Sequence, residues 1–118
     1  MHWTVELHDQ FDSEFAALSV DVQDKLLETA KVLSQIGPSL PRPYTDKLKG
    51  SKHANMKELR FTAGEGVWRV AFAFDPARRA ILLVAGDKSG ANQRRFYGRL
   101  IAKADQRFDE HLETLKGL

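Results

Sequence analysis

The sequence predicts a small α+β domain, and three observations carry that reading. Apolar residues alternate with polar ones at the N-terminus, the period of a half-buried strand, and three strand-like runs separated by short turns follow in the middle of the chain. Two stretches before those runs and one after them space their apolar residues every three or four positions, as an amphipathic helix does. A length of 118 residues leaves room for one hydrophobic core, so residues 1–118 are expected to form a single domain. The expected order is strand–helix–helix–strand–strand–strand–helix, with the helices packed on one face of a small antiparallel sheet.

The first strand is read from Trp3, Val5 and Leu7, which alternate with His2, Thr4, Glu6 and His8. Phe11, Phe15 and Leu18 then fall at helical spacing. Ser19 is placed to cap a second helix, whose stripe runs through Val22, Leu26, Ala30 and Leu33. Gly37-Pro38 ends that helix, because proline cannot continue it and glycine accepts the reversal. From Ser39 to Asn55 the chain reads as an irregular loop containing Pro41, Pro43 and a cluster of lysines around Gly50. Loops of that length are uncommon in small domains and tend to be functional or disordered.

Three strands follow. They run from Met56 to Thr62, from Val67 to Phe74 and from Ala80 to Gly86, with turns at Ala63-Gly64-Glu65-Gly66 and Asp75-Pro76-Ala77-Arg78-Arg79. Tight turns between consecutive strands make an antiparallel meander. The last helix begins near Asn92 and carries Phe96, Leu100, Ala104, Phe108, Leu112 and Leu115 on one side.

Composition excludes several classes. There is no cysteine, hence no disulfide and no thiolate metal site. No apolar run approaches the roughly 20 residues that span a bilayer, and the first residues lack the basic flank and apolar stretch of a secretory leader. A cytoplasmic protein is expected. The net charge of +2 hides a strong asymmetry. Residues 47–104 hold thirteen Lys/Arg against four Asp/Glu, whereas residues 1–46 hold three against eight and residues 105–118 two against four. A basic middle with acidic flanks suggests one surface that attracts phosphates.

Alternation sorts the strand residues into two sets. Trp68, Val70, Phe72 and Phe74, with Leu59 and Phe61, are bulky and should face the helices. The other set is Met56, Glu58 and Arg60 on one strand and Val67, Arg69, Ala71 and Ala73 on the next. In the last strand the inner pair is either Leu82 and Val84 or Ile81 and Leu83. If the hairpin closes around Gly64-Glu65, Arg60 and Glu58 lie within a residue or two of Arg69, at cross-strand Cβ separations of about 5 Å. A plain surface salt bridge is the common fate of such residues. Two facing arginines repel, however, and an anion between them relieves the repulsion, which makes phosphate a natural ligand.

His2, His8, His53 and His111 have no pairing at metal-ligand spacing, and Gly86-Asp87-Lys88-Ser89-Gly90 lacks the spacing of a phosphate-binding P-loop. No metal and no cofactor are expected. Any catalysis would be acid–base chemistry on a phosphodiester.

The segments Leu48-Lys49-Gly50-Ser51, Asn55-Met56-Lys57-Glu58-Leu59-Arg60, Trp68 through Pro76, Gly86-Asp87-Lys88, Phe96-Tyr97 and Ala104-Asp105 together resemble the HigB-like, phage-derived branch of the RelE/ParE toxin superfamily. The resemblance runs in order along nearly the whole chain and includes Trp3, Phe11-Asp12 and Gly37-Pro38. It implies the toxin of a type II toxin–antitoxin pair that enters the ribosome and cuts mRNA by attack of a 2′-hydroxyl on its own phosphate. It also implies a small antitoxin partner, usually with a helix-turn-helix domain, besides contacts to mRNA and rRNA.

On that resemblance Arg69 is the arginine at the scissile phosphate, Lys88 the basic residue after the last strand, and Tyr97 an aromatic for stacking or proton transfer. The geometry adds Arg60 as a second phosphate ligand, and Glu58 is the candidate base. Lys47, Lys49, Lys52, His53 and Lys57 are candidates for holding RNA backbone. Two other functions fit the same fold: a ParE-like inhibitor of DNA gyrase, and a non-catalytic RNA-binding protein of phage origin. Codon preference, the identity of the antitoxin and the oligomeric state are not encoded in these patterns.

Overall fold

Helix boundaries fall where the sequence supplies partners for the free backbone groups at their ends. A computed structural model describes residues 2–117. Strand β1 (Thr4–Leu7) leads into α1 (Asp9–Ala16) and α2 (Val20–Ile36). His8 caps α1, its Nδ1 accepting from the Gln10 N–H at 3.1 Å. The Ser19 hydroxyl accepts from Val22 N at 3.4 Å at the start of α2. Gly37 stops α2 with a positive φ of 82°, and a Cβ there would collide with the Trp3 indole at 2.3 Å. After a 3-10 turn (Gly37–Ser39) come β2 (Thr45–Lys47), β3 (Lys57–Ala63), β4 (Gly66–Phe74), β5 (Arg79–Asp87) and α3 (Gln93–Lys116). Asn92 caps α3 by accepting from Arg95 N at 3.0 Å.

The expected α+β class and element order hold, and three particulars differ. The five strands are ordered β1-β5-β4-β3-β2, and β1 runs parallel to β5, so the sheet is mixed rather than antiparallel throughout. The segment expected to be irregular contributes a short edge strand: β2 pairs with Lys57–Leu59 of β3. The third difference matters most for function, because the helices occupy both faces of the sheet.

On one face α1 and α2 bury Phe11, Leu26 and Leu33 against Leu59, Phe61, Val70, Phe72 and Leu82. On the other, α3 packs Leu100, Ala104 and Phe108 onto Met56, Ala71, Ala73, Ile81, Leu83 and Val84. The small side chains of Ala71 and Ala73, read in the sequence as a bare concave surface, are what let a helix approach the sheet. Of the two alternatives for β5, Ile81 and Leu83 do share a face, the one under α3, whereas Leu82 and Val84 are split between the two faces. A register shift between Ala71 and Phe72 lets Leu83 and Val84 both join the α3 cluster.

Polar groups fix α3 in place. The buried Arg107 guanidinium donates to Leu83 O at 2.8 Å and makes a two-pronged pair with Glu14 of α1 at 2.8 and 2.5 Å. His111 lies 2.8 Å from the buried Asp75 carboxylate. Asp105 accepts from the Ser51 hydroxyl at 2.5 Å and from Lys52 N at 3.1 Å, which ties the loop before β3 to the helix.

Candidate functional site

The β3–β4 hairpin sets the site. Its register places Arg60 directly opposite Arg69 and Glu58 opposite Ala71, so both arginines and the carboxylate lie on one face, as expected. That face is not open, however. The first turns of α3 roof it, leaving Arg69 5% and Glu58 4% exposed. Arg69 Nη1 donates to Trp68 O at 2.9 Å and Nε donates to the Tyr97 hydroxyl oxygen at 3.3 Å; the same Nε lies 3.7 Å from Glu58 Oε1.

Burial and charge act against each other at Glu58. Burial pushes its pKa above the ordinary carboxylate value, against the pull of the Tyr97 hydroxyl and of Arg69 and Arg60. No hydrogen bond reaches Oε1, although that atom is fully buried. Burial likewise raises the Tyr97 phenol, and the neighbouring Glu58 carboxylate adds to the shift while Arg69 opposes it.

Beside this buried trio a cleft of about 500 Å³ opens between the loop bearing β2, strand β3 and the N-terminus of α3. Its lining includes Glu58, Arg60, Lys88, Tyr97, Lys47 and Lys49, all singled out in the sequence. Lys88 Nζ stands 6.0 Å from the centre of the Tyr97 ring. The cleft also holds residues that the sequence did not flag: Arg42, Asp46 and Gln93. Arg42 sits between two prolines within an acidic stretch, and its spacing of four from Asp46 was the one available signal.

Three expected contributors are placed elsewhere. Lys57 alternates with Glu58 and so points to the other face of the sheet, where its ammonium donates to Pro38 O at 2.9 Å. Lys52 is ion-paired with Asp109. His53 Nε2 lies 2.8 Å from the same carboxylate and packs edge-on to Phe108. These two side chains fasten the loop to α3 and do not line the cleft. Arg69, expected on an open surface, forms the buried back of the site.

Cations around a recess, with a carboxylate and a phenol beneath, form a set of groups that can bind a phosphodiester and move a proton beside it. Among the described residues, no group of three or more His, Cys, Asp or Glu side chains is arranged to hold a metal ion. No described helix is long and apolar enough to cross a membrane.

Comparison with known proteins gives a consistent picture. Residues 13–109 match the family described as phage-derived protein Gp49-like (DUF891). The chain is 44% identical over 113 residues to HigB3 of Mycobacterium tuberculosis, a protein named as a toxin, with 96% of each chain covered. It is 39% identical over 111 residues to the similarly named HigB2 of the same organism, covering 93% of this chain and 54% of that one. Among solved structures, an arginine double mutant of E. coli toxin RelE in the free state superposes with a TM-score of 0.62 at 11% identity, over 91% of this chain and 98% of RelE. The archaeal RelE of the RelE–RelB complex from Pyrococcus horikoshii superposes with a TM-score of 0.55 at 19% identity, over 77% of this chain and 100% of the other.

Proposed function

The chain belongs to the phage-derived Gp49-like family and to the HigB-like toxins of the RelE fold, and from that premise we propose that it is the toxin of a type II toxin–antitoxin pair that cuts mRNA on the ribosome. The observation that carries the catalytic part of this reading is the convergence of Arg60, Lys88, Tyr97 and Glu58 on one basic cleft, with Arg69 at its back. In the proposed reaction the RNA 2′-oxygen bonds to phosphorus, the bond from phosphorus to the 5′-oxygen breaks, and a 2′,3′-cyclic phosphate results.

Glu58 is the group that takes the 2′-hydroxyl proton. Its pKa, raised by burial, makes it a stronger base than an exposed carboxylate, and its unpartnered oxygen leaves room for a proton. Arg60 and Lys88 bear on the charge that grows at phosphorus, and Arg69 orients Glu58 and Tyr97 from behind. Tyr97 returns a proton to the 5′-oxygen or stacks on a base. Lys47 and Lys49 hold the flanking backbone. The partners are an antitoxin, mRNA and the ribosome, in the cytoplasm; the RelB bound to the archaeal neighbour supports the first of these.

Induction of the chain in a host lacking the antitoxin, with mapping of mRNA 5′ ends, tests the proposal. New ends that appear with the wild type and vanish with Arg60→Ala are expected. The rival reading, gyrase inhibition, requires no basic cleft; inhibited supercoiling with intact mRNA would replace the proposal with that one.

A further inference from the structure

Besides Glu58, the cleft contains a second carboxylate, one set against the cations that would grip phosphate. Asp46 of β2 lies between two guanidinium groups. Arg42 Nη2 donates to its Oδ2 at 2.6 Å, and Arg60 Nη1 stands 3.6 Å from the same oxygen. Its other oxygen accepts from Lys47 N at 2.9 Å. The hydrogen bond from Arg42 and that from Lys47 N lower the Asp46 pKa below its ordinary value.

Arg42 and Arg60 occupy a particular place. They line the cleft that holds Lys88 and Tyr97, and they also line a second, shallower recess bounded by Phe61, Thr62, Val67 and Arg69. Arg42 and Arg60 are common to both linings, so nucleic acid occupying both recesses would touch this pair of guanidinium groups. The Arg42 side chain is 73% exposed, so its pair with Asp46 contributes little to stability and is open to exchange.

We propose that Arg42 and Arg60 form a phosphodiester subsite next to the reaction centre, in which the Asp46 carboxylate occupies the anion position until an RNA phosphate displaces it. A phosphate oxygen meets the same need as the Asp46 carboxylate, since both accept from forked guanidinium donors. Without RNA, Asp46 keeps two facing cations from repelling each other. With RNA, the displaced carboxylate opposes binding, so the subsite discriminates against weakly held anions. The inference rests on the nucleic-acid reading of the cleft.

Fluorescence anisotropy with a labelled, fully 2′-O-methylated single-stranded RNA, which cannot be cleaved by a 2′-hydroxyl, tests it across a series of salt concentrations. D46N keeps the bond to Lys47 N through its amide oxygen and puts an NH2 group where Oδ2 accepted from Arg42, so both guanidinium groups are left free for phosphate. It is expected to bind about threefold or more tighter at low salt, with the same log–log salt slope, because the same phosphate is neutralised in both proteins and only the competing carboxylate is gone. Arg42→Ala should abolish that gain in the double variant. Glu65→Gln, an equal charge change in the exposed β3–β4 turn, should leave the affinity nearly unchanged. The proposal is overturned if D46N matches the wild type in affinity, binds more weakly, or keeps its full gain without Arg42. Wild-type protein that neither binds the RNA nor cuts mRNA would take the parent reading down with it, whereas cleavage with an unaltered D46N affinity would remove the subsite alone.

Discussion

Replacing Arg107 by methionine removes a guanidinium that joins three elements, and the cost can be worked out from its partners. Its side chain is 6% exposed, that of Glu14 41%. Once the guanidinium is gone, the Leu83 carbonyl is left buried between β5 and α3 without a donor, which costs about 1–3 kcal/mol. Glu14 regains water, so loss of the ion pair adds no more than about 1 kcal/mol. Methionine fills most of the vacated volume, and the cavity contribution is small. The expected destabilisation is about 2–3 kcal/mol, which lowers the thermal midpoint of a chain this size by roughly 10 °C.

Urea unfolding followed by far-UV circular dichroism measures the effect. Glu14→Gln, which leaves Arg107 on Leu83 O, should cost less than about 1 kcal/mol. The Glu14 pKa is depressed, first by its hydrogen bond from Arg107. Its contribution is therefore present above the unfolded value and lost as the pH falls below the 4.5 of a free glutamate. The gap between wild type and Glu14→Gln should close on acidification. An Arg107→Met variant within about 0.5 kcal/mol of wild type would refute the claim that this side chain secures α3 over the sheet.

Three further outcomes are expected. Tyr97→Phe should lower the cleavage rate by about 10²–10⁴ while shifting stability by less than about 1 kcal/mol, separable by parallel cleavage and melting assays. Leu100→Ala, at a buried position against β5, should destabilise by about 2–4 kcal/mol in urea titration, because a cavity opens between α3 and Val84. Glu58→Gln tests the raised pKa of that group. The folded state holds the Glu58 proton more tightly than the unfolded chain, so wild-type stability falls as the pH rises from 4.5 through the folded pKa. The variant should therefore gain on wild type in thermal midpoint between acid and neutral pH, and lose its cleavage activity.

Local rules account for what could be read from the sequence. The Gly64-Glu65 turn and the alternation on either side set the hairpin register, and with it the pairing of Arg60 with Arg69. The helix ends at Ser19, Gly37 and Asn92 follow from backbone chemistry within a few residues. Which face α3 would cover was hidden, because Met56, Ala71 and Ala73 look the same whether they border water or accommodate a helix. Lys57 could have been assigned to the opposite face from its parity with Glu58.

The engagement of Lys52 and His53 with Asp109 joins residues more than fifty positions apart, and no local pattern encodes it. Arg42 and Asp46 lie in a segment without periodicity, so only the fold brings them to Arg60. The same blindness explains the depth of Arg69 and Glu58: their shared face was legible, and the roof that α3 places over it was not.

The chemistry of the products tests the central claim most directly. Purified wild-type protein, a defined mRNA and translating ribosomes should yield upstream fragments ending in a 2′,3′-cyclic phosphate and downstream fragments beginning with a 5′-hydroxyl, and no cleavage when ribosomes are omitted. Intact mRNA on active ribosomes, or fragments bearing a 5′-phosphate, would contradict a cleft that works by attack of the RNA's own 2′-oxygen.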